Sequence, residues 1–224
     1  MVKSLIIVGA SSEFSNTFIS HVKNSFEIYL ISRKETDSID INNQLLVDDY
    51  LNDIDKIKNF IKNIKEANVI FFNGFLAENR KSYYPTNNEI RKTMEINYLI
   101  PYVLTNELYQ SCLIEKFIYI SSMSAIKPRY KNYIYGLSKR NLEKSIKNIE
   151  GIKYLFIRFG QIETRMSVSH KKAPFKLSKE KASINLLKLL PSNGIKYGSA
   201  GLLFMSWLIK FLPLRIINYI EERE

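Results

Sequence analysis

Short, wholly apolar runs alternate along this chain with longer stretches whose apolar residues recur at helical spacing, and this alternation constrains the fold most. A short apolar run is typical of a strand that is buried on both faces of a parallel sheet. Strands are predicted at residues 5–8, 27–31, 45–47, 69–72, 117–120, 154–158 and 195–197. Helices are predicted at about 13–24, 54–64, 88–111, 133–148 and 179–190. The chain is therefore predicted to have an α/β fold, a doubly wound parallel sheet of about seven strands with helices on both faces.

The length and composition are those of one well-filled domain. With 224 residues, 46% of them hydrophobic, the chain can bury one core but is short for two. We predict one domain over residues 1–198, in which the loosely patterned segment of about 161–178 is a mobile substrate loop. An apolar helical tail is predicted over residues 199–224.

The tail is strongly apolar, but Lys210, Pro213 and Arg215 interrupt it. A membrane-spanning helix needs ~20 mostly apolar residues without central charges, so no span is expected here. Two alternatives remain open. Either the tail packs on the domain or on a second subunit, or it lies in a membrane interface with Trp207, Lys210, Phe211 and Arg215 as anchors.

The charge balance is basic, with 33 Lys and Arg against 22 Asp and Glu and a formal net charge of +11. Nucleic acid, an anionic membrane surface and anionic small ligands could each use this charge. The chain has no arginine-rich run with interleaved aromatic residues, so no nucleic-acid partner is expected. The single cysteine, Cys112, lies in an apolar helical pattern and is predicted to be buried in a reducing compartment. A cytoplasmic protein is predicted, with attachment to the inner face of the membrane as the alternative.

Polar and glycine residues gather where the predicted strands end. In parallel sheets, ligands bind beyond the carboxyl ends of the strands, where the strand order reverses. A ligand site is therefore predicted at this edge, and no metal ion is expected in it. The residues at the strand ends are Gly9, Ser11, Ser12, Ser32, Arg33, Asp48, Asn73, Gly74, Ser122 and Gly160.

The ends of the first and second strands indicate how a dinucleotide could bind. A dinucleotide-binding loop usually carries several glycines, but here Gly9 stands alone and Glu13 and Ser15 follow it. A carboxylate at a helix N-terminus would repel a bound pyrophosphate unless it pointed away. After the second strand, Arg33 and Lys34 supply cations where an acid would favour NAD, and arginine accommodates the 2′-phosphate of NADP. The sequence thus favours NADP(H) over NAD(H).

Tyr135 and Lys139 are four residues apart and share one face of a predicted helix. The positive charge of Lys139 is expected to lower the pKa of Tyr135, which could then act as a proton donor and acceptor. Ser122, at the end of the fifth strand, is expected to orient the substrate oxygen toward Tyr135. Ser121 and Ser124 are the alternatives to Ser122.

Asn97 is a polar residue inside the long predicted helix. It could hold a water molecule against Lys139 and complete a proton relay, or it could simply bond a neighbouring carbonyl. In this order and spacing, Asn97, Ser122, Tyr135 and Lys139 resemble the catalytic tetrad of the short-chain dehydrogenase/reductase family.

The resemblance covers roughly residues 3–165 and implies a single-domain, Rossmann-type member of that family with a degenerate glycine-rich cofactor loop. It implies a small carbonyl or alcohol substrate and a homodimer or homotetramer. The cofactor contacts that it implies are Gly9, Ser11, Ser12, Phe14, Ser32, Arg33, Asp48, Asn73, Gly74, Lys139, Gly160, Ile162 and Thr164.

The expected function is an NADPH-dependent reduction of a ketone or keto-sugar, by hydride transfer with Tyr135 as proton donor. Residues 174–180 and the tail weakly resemble family members with apolar C-termini. Some of those members act on lipid-linked substrates, so a lipid- or nucleotide-linked sugar in polysaccharide or cell-envelope synthesis is the expected substrate class. The alternatives are a nucleotide-sugar epimerase or dehydratase, and a non-catalytic protein that senses dinucleotides.

Overall fold

A computed structural model describes residues 3–36, 43–77, 85–111, 114–167 and 173–223. Cys112 and residues 168–172 of the predicted substrate loop lie outside these ranges. The strands are β1 Ser4–Val8, β2 Glu27–Ser32, β3 Gln44–Leu46, β4 Ala67–Phe71, β5 Ile114–Ser122, β6 Tyr154–Phe159 and β7 Gly194–Tyr197. They form one parallel sheet in the order β3-β2-β1-β4-β5-β6-β7. The predicted α/β fold and its seven strands are confirmed.

The helices alternate with the strands as predicted. Their bounds are α1 Glu13–Val22, α2 Ile54–Ile61, α3 Asn87–Met94, α4 Ile100–Ser111, α5 Tyr133–Lys147, α6 Lys179–Leu189, α7 Ala200–Phe211 and α8 Leu214–Arg223. One turn of π-helix, Glu95–Leu99, joins α3 to α4. The long helix predicted over 88–111 is thus confirmed in extent, but it is not regular, because one wide turn interrupts it.

The core consists of two apolar layers, one on each face of the sheet. Alternate residues of β1 enter opposite layers, since successive side chains of a strand point to opposite faces. Ile6 and Val8 lie in the layer beside Ile57 of α2 and Leu104 of α4. Leu5 and Ile7 lie in the other layer, with residues of α1 and α6. The prediction of helices on both faces is confirmed.

The strand order reverses beside β1, and this reversal positions the site. From β1 the chain builds outward through β2 to β3, and it then returns to add β4 on the other side of β1. The carboxyl ends of β1 and β4 are therefore adjacent, with Val8 beside Phe71 in the register. A crevice at such a reversal is where ligands bind in open α/β sheets.

The apolar tail forms two short helices, α7 and α8, which are separated at Leu212 and Pro213. Pro213 has no backbone N–H and cannot donate a hydrogen bond to a carbonyl of α7, so the helix ends before it. Among the described residues, no helix is long and apolar enough to cross a membrane.

Candidate active site

The turn after β1 packs closely against the end of β4. Gly9 has a φ of +80°, and a Cβ atom there would lie 2.9 Å from the backbone nitrogen of Asn73. Only glycine tolerates both the left-handed backbone and this approach. Ser12 then caps α1, because its Oγ accepts a hydrogen bond of 3.1 Å from the backbone nitrogen of Ser15. The exposed Ser11 lies between them, so the predicted cofactor loop is a tight turn that leads into a helix N-terminus.

Glu13, the acid in this turn, is engaged by basic residues of other segments. Its carboxylate accepts a hydrogen bond of 3.1 Å from the backbone nitrogen of Arg165 and a second from the guanidinium Nε of that residue. Lys179 Nζ lies 3.8 Å from the same carboxylate. The hydrogen bonds from Arg165 hold the pKa of Glu13 below its usual value. The carboxylate is therefore paired with cations, and the predicted repulsion of a pyrophosphate is reduced.

Two side chains of this helix point into the core. The ring of Phe14 meets Phe72 and Phe159 edge to face, with ring centroids 5.2 and 5.6 Å apart. Phe14 is predicted to contact a cofactor, and in the structure it lies within the core as a support under the loop. Ser15, where a further glycine was expected, is fully buried, and its Oγ has no hydrogen-bond partner among the described residues.

The strand ends on the β2 side carry the charges predicted for the adenosine end of a dinucleotide. Arg33 and Asp48 are both exposed. Ser32 is buried, and its hydroxyl donates a hydrogen bond of 2.5 Å to the carbonyl oxygen of Lys34. Ser32 therefore shapes the turn that presents Arg33, and its hydroxyl proton is already used.

Tyr50 belongs to this region and was not predicted from the sequence. It is almost fully buried, and burial raises the pKa of its hydroxyl, while Arg33 and hydrogen bonds from Asn73 and Gly9 act in the opposite direction. The Tyr50 hydroxyl thus lies near the ends of β1 and β4 and near Arg33. The Asn73 Oδ1 atom is buried without a partner among the described residues, so an acceptor remains at the centre of this region.

Tyr135 and Ser122 are brought together, as predicted. Tyr135 lies in the first turn of α5, and the Ser122 side chain is near enough to its hydroxyl to lower the pKa of Tyr135 against the larger, opposite effect of burial. Ser122 also accepts a hydrogen bond of 3.2 Å from the backbone nitrogen of Ser124. Ser121 points to the opposite side of β5 and donates to Glu143 Oε1 at 2.7 Å. Ser122, the last residue of β5, is therefore the serine beside Tyr135, whereas Ser121 is engaged with Glu143 further along the same helix.

Gly136 allows α5 to approach the strand end that carries Ser122. A Cβ atom at Gly136 would lie 2.8 Å from the carbonyl oxygen of Ser124 and 3.1 Å from the Cα of Pro128. A larger residue would push the helix, and Tyr135 with it, away from Ser122.

Lys139 lies one turn after Tyr135 and is almost fully buried. Its Nζ donates to the carbonyl oxygens of Ile120 at 3.1 Å and Asn73 at 3.4 Å. Burial lowers the pKa of Lys139 to about 8, and the nearby Glu143 acts in the opposite direction. Lys139 is therefore held against the ends of β5 and β4, between the tyrosine and the predicted cofactor region.

The expected lowering of the Tyr135 pKa is wrong in sign for this structure. Burial raises the pKa of Tyr135, and the hydrogen bond with Ser122 offsets only part of the effect. Removing a phenol and an ammonium group from water disfavours the charged form of both. Burial is the largest cause for both groups, and the opposing causes are Ser122 for Tyr135 and Glu143 for Lys139.

Asn97 lies on the π-helical turn and is fully buried. Its Nδ2 donates to the carbonyl oxygen of Phe75 at 2.7 Å, and its Oδ1 accepts from the backbone nitrogen of Phe75 at 2.9 Å. The amide thus fixes the segment after β4 that contains Asn73 and Gly74. The sequence left open that Asn97 simply bonds a carbonyl, and Asn97 does bond the backbone of Phe75, which lies outside its own helix. The water relay through Asn97 stays a prediction.

Glu143, one helical turn beyond Lys139, forms a buried ion pair with Arg158 that was not predicted. Arg158 donates to Glu143 through Nε at 2.9 Å and through Nη2 at 2.5 Å. Arg158 Nη1 also donates to the Tyr197 hydroxyl at 3.2 Å. With Ser121, these groups satisfy both carboxylate oxygens of Glu143, so α5 is fastened to β5, β6 and β7 by polar contacts.

The segment after β6 lies over the predicted cofactor region. Gly160 packs against Leu202, and Ile162 pairs with Leu177 in a short bridge. The backbone nitrogen of Thr164 donates to Ser167 Oγ at 3.2 Å. Met166 Cε would lie 3.5 Å from a Cβ atom on Gly74. Together with the contact between Arg165 and Glu13, this places residues 162–167 across the carboxyl ends of β1 and β4.

The residues at this edge fit a dinucleotide. The Gly9 turn approaches the end of β4 without a side chain, Asn73 offers an unpartnered acceptor, and Arg33 is exposed beyond β2. The charge of Glu13 is balanced by Arg165 and Lys179. No group of three or more His, Cys, Asp or Glu suited to a metal ion occurs within the described ranges.

No protein-family model matches the chain, and no curated protein matches it. Solved structures do match its fold. A short-chain dehydrogenase from Burkholderia cenocepacia J2315 in complex with NADP has a TM-score of 0.75 and 14% identity, and the match covers 95% of this chain and 100% of that one. A short-chain dehydrogenase/reductase from Burkholderia multivorans with bound NADP has a TM-score of 0.69 and 14% identity, over 87% of this chain and 95% of that one.

A UDP-glucose 4-epimerase from Thermotoga maritima with UDP-glucose is also similar. Its TM-score is 0.64 and its identity 12%, over 86% of this chain and 75% of that one. At these identities the similarity concerns the fold, and function has to be argued from the site. The fold that the resemblance implied is confirmed.

Proposed function

We propose that this chain, which has the fold of the short-chain dehydrogenases/reductases, is an NADP(H)-dependent oxidoreductase that reduces a ketone or keto-sugar. The observation that carries the proposal is the juxtaposition of Tyr135 with Ser122, with Lys139 one helical turn away and bonded to the ends of β4 and β5. The three residues lie at the carboxyl edge of the sheet, and Lys139 bonds the carbonyl oxygen of Asn73, beside the Gly9 turn.

NADP(H) is the cofactor that these residues would hold. Arg33 is exposed after β2 and would pair with the 2′-phosphate, and the turn at Gly9, Ser11 and Ser12 would receive the pyrophosphate. When bound, the reduced dinucleotide supplies the hydride that the carbonyl carbon accepts. Phe14 supports the loop from the core, and the remaining proposed contacts are Ser32, Asp48, Asn73, Gly74, Lys139, Gly160, Ile162 and Thr164.

Tyr135 would supply the proton. The raised pKa of Tyr135 keeps the phenol protonated near neutral pH, so it can hydrogen-bond a carbonyl oxygen together with Ser122. As the carbonyl carbon gains a hydride, its oxygen takes the phenol proton and an alcohol forms. The charge of Lys139 would stabilise the phenolate that is left, until a proton from solvent restores it.

Asn97 would act as a positioning residue. Its two hydrogen bonds to Phe75 hold the segment that carries Asn73 and Gly74, and Asn73 in turn accepts a hydrogen bond from Lys139. A water molecule between Asn97 and Lys139 would complete the proton relay from solvent.

A lipid- or nucleotide-linked sugar of polysaccharide or cell-envelope synthesis is the substrate class we propose. The similarity to the Thermotoga maritima epimerase supports the alternative of a nucleotide-sugar epimerase or dehydratase, and such an enzyme would retain NAD(H) through purification. The presence of Glu13 and Ser15 in place of loop glycines supports the alternative of a non-catalytic protein that senses dinucleotides. A homodimer or homotetramer in the cytoplasm remains part of the proposal.

The proposal is tested by following NADPH oxidation by the purified chain over a panel of ketones, keto-sugars and nucleotide-linked keto-sugars. Replacing Tyr135 by Phe should reduce turnover about a hundredfold or more, because the proton donor is lost, and should leave NADPH affinity unchanged. Tyr133→Phe is the matched control, since Tyr133 is exposed on the same helix. Turnover of Tyr135→Phe near that of the unaltered chain would refute the assignment.

A further inference from the structure

Helices α7 and α8 expose a continuous set of large apolar side chains. Phe204, Trp207 and Phe211 follow each other at helical spacing, with 65%, 57% and 76% of their surfaces exposed. We call the set the apolar face. Its members are Leu203, Phe204, Trp207, Leu208, Phe211, Leu214 and Ile216. Apolar patches of this kind on a folded chain mark a surface that binds a partner or a membrane.

The two helices are anchored to the domain through their opposite side. Leu202 is buried beside Gly160, and Ile217 is buried as well. Lys127 Nζ donates to the carbonyl oxygens of Lys210 at 3.3 Å and Leu212 at 2.7 Å, which closes the C-terminal end of α7. The apolar face is thus directed away from the domain by packing and hydrogen bonds.

The position of α7 connects the apolar face to the site. Its first turn packs on Gly160, at the end of β6, and its last turn meets Lys127. Lys127 belongs to the loop that runs from Ser122 to Tyr135. Helix α7 therefore runs between the two loops that border Ser122 and Tyr135 on the side away from β1.

Cations accompany the apolar face. Lys210 and Arg215 are both exposed, and Lys210 Nζ lies 5.7 Å from the centre of the Trp207 ring. The chain as a whole carries a formal net charge of +11. A second copy would bring the same cations and the same net charge to this surface, whereas an anionic lipid surface would attract them.

We propose that the apolar face docks on the surface of an anionic lipid bilayer, with its aromatic rings among the acyl chains and with Lys210 and Arg215 at the phosphate level. This arrangement is that of an interfacial amphipathic helix, which combines apolar burial with attraction to anionic headgroups. If the proposed function holds, docking turns the site toward the bilayer, and the carbonyl substrate is one that carries a lipid chain.

The test uses the full chain with two kinds of vesicle, one of phosphatidylcholine alone and one of phosphatidylcholine and phosphatidylglycerol in equal parts. Trp207 is the only tryptophan, so its emission reports this surface alone. We expect co-sedimentation with the anionic vesicles and a blue shift of the Trp207 emission, and much weaker binding to the neutral vesicles. Sedimentation velocity without vesicles measures self-association in parallel.

Two variants and a control locate the binding. The double variant Phe204→Ser with Phe211→Ser should bind anionic vesicles at least about tenfold more weakly, because two exposed rings no longer enter the bilayer. Lys210→Glu with Arg215→Glu should remove the preference for anionic vesicles. Ile184→Ser on α6 is the control, since Ile184 is an exposed apolar residue outside the apolar face. Equal thermal unfolding of all the variants would exclude a loss of fold.

Each other outcome overturns the proposal. Equal binding to both kinds of vesicle would show that Lys210 and Arg215 do not contribute to docking. A blue shift that depends on protein concentration and not on vesicles would assign the apolar face to a second copy. Absence of vesicle binding with NADPH binding intact would refute docking and leave the proposed oxidoreductase function standing.

Discussion

Glu13 at the start of α1 and Arg165 on the segment after β6 are joined by two hydrogen bonds, one from the backbone and one from the guanidinium of Arg165. The pair joins the two segments that border the cleft above β1. It also balances a negative charge at the helix N-terminus, where the pyrophosphate of a dinucleotide would bind.

Arg165→Ala should weaken NADPH binding about threefold, because it leaves the charge of Glu13 unbalanced beside the pyrophosphate. Adding Glu13→Gln to Arg165→Ala should restore the affinity. Isothermal titration of the three proteins with NADPH measures both effects, and Arg140→Ala, an exposed arginine of α5, is the control. If the double variant binds no better than Arg165→Ala, the two charges are not coupled.

Arg33→Ala should weaken NADPH binding about tenfold or more and leave NADH binding nearly unchanged. The reason is that only NADPH carries a 2′-phosphate, and a hydrogen bond to a charged group contributes about 1.5–3 kcal/mol. Parallel titrations with the two cofactors measure the difference. Lys34→Ala, the exposed neighbour, should have a smaller effect. An equal loss of affinity for both cofactors would count against a 2′-phosphate contact.

Glu143→Gln should destabilise the fold, because Arg158 would keep a buried charge without its partner. Breaking a buried ion pair from one side costs about 3–5 kcal/mol. Urea unfolding followed by circular dichroism gives the change in the free energy of unfolding. Glu150→Gln, an exposed acid just beyond α5, should have almost no effect. A loss as small as that of the control would mean that the pair in the structure contributes little.

Lys139 makes stability depend on pH in a defined direction. Its pKa is lowered from 10.5 to about 8 in the folded chain, so between these values the unfolded chain binds more protons. Stability should therefore rise with pH in this window, by about 1 to 2 kcal/mol between pH 8 and about pH 9.5. The buried Lys116, whose pKa is also lowered, adds to the rise.

The contribution of Lys139 is isolated by Lys139→Met, which should be more stable near neutral pH and should show a flatter rise. Urea unfolding at several pH values below about 9.5 avoids the tyrosines whose pKa values are raised, among them Tyr29 and Tyr135. Lys144→Met, an exposed lysine of α5, is the control. A profile of Lys139→Met parallel to that of the unaltered chain would show that Lys139 titrates normally.

The sheet could be predicted because each strand is recognisable from its own short apolar sequence. Leu5–Val8 and the other apolar runs are buried on both faces, and polar residues mark where each strand ends. The π-helical turn at Glu95–Leu99 could not be predicted in this way, since one wide turn hardly alters the apolar periodicity of a long helix.

The candidate site was predicted where spacing alone brings residues together. Tyr135 and Lys139 share a helix face, and Ser122 is the last residue of β5, thirteen residues before Tyr135. The direction of Phe14 could not be predicted, because it depends on Phe72 and Phe159 from other strands.

A signal for the missed ion pair was present. Glu143 lies one turn beyond Lys139 on the same face of α5, and Arg158 is a single charge within an apolar strand. Together they predict a buried pair. Tyr50 gave no such signal, since its contacts with Gly9 and Asn73 exist only after the strands have assembled.

The most direct test of the account is the titration of the purified chain with NADPH and NADH in parallel, by calorimetry or by energy transfer from the aromatic residues of the protein. The account predicts binding of NADPH in the micromolar range and weaker binding of NADH, because Arg33 is exposed after β2 and Glu13 is paired with Arg165. Absence of binding to both dinucleotides would contradict the account, since it would mean that Glu13 and Ser15 close the cleft to the cofactor.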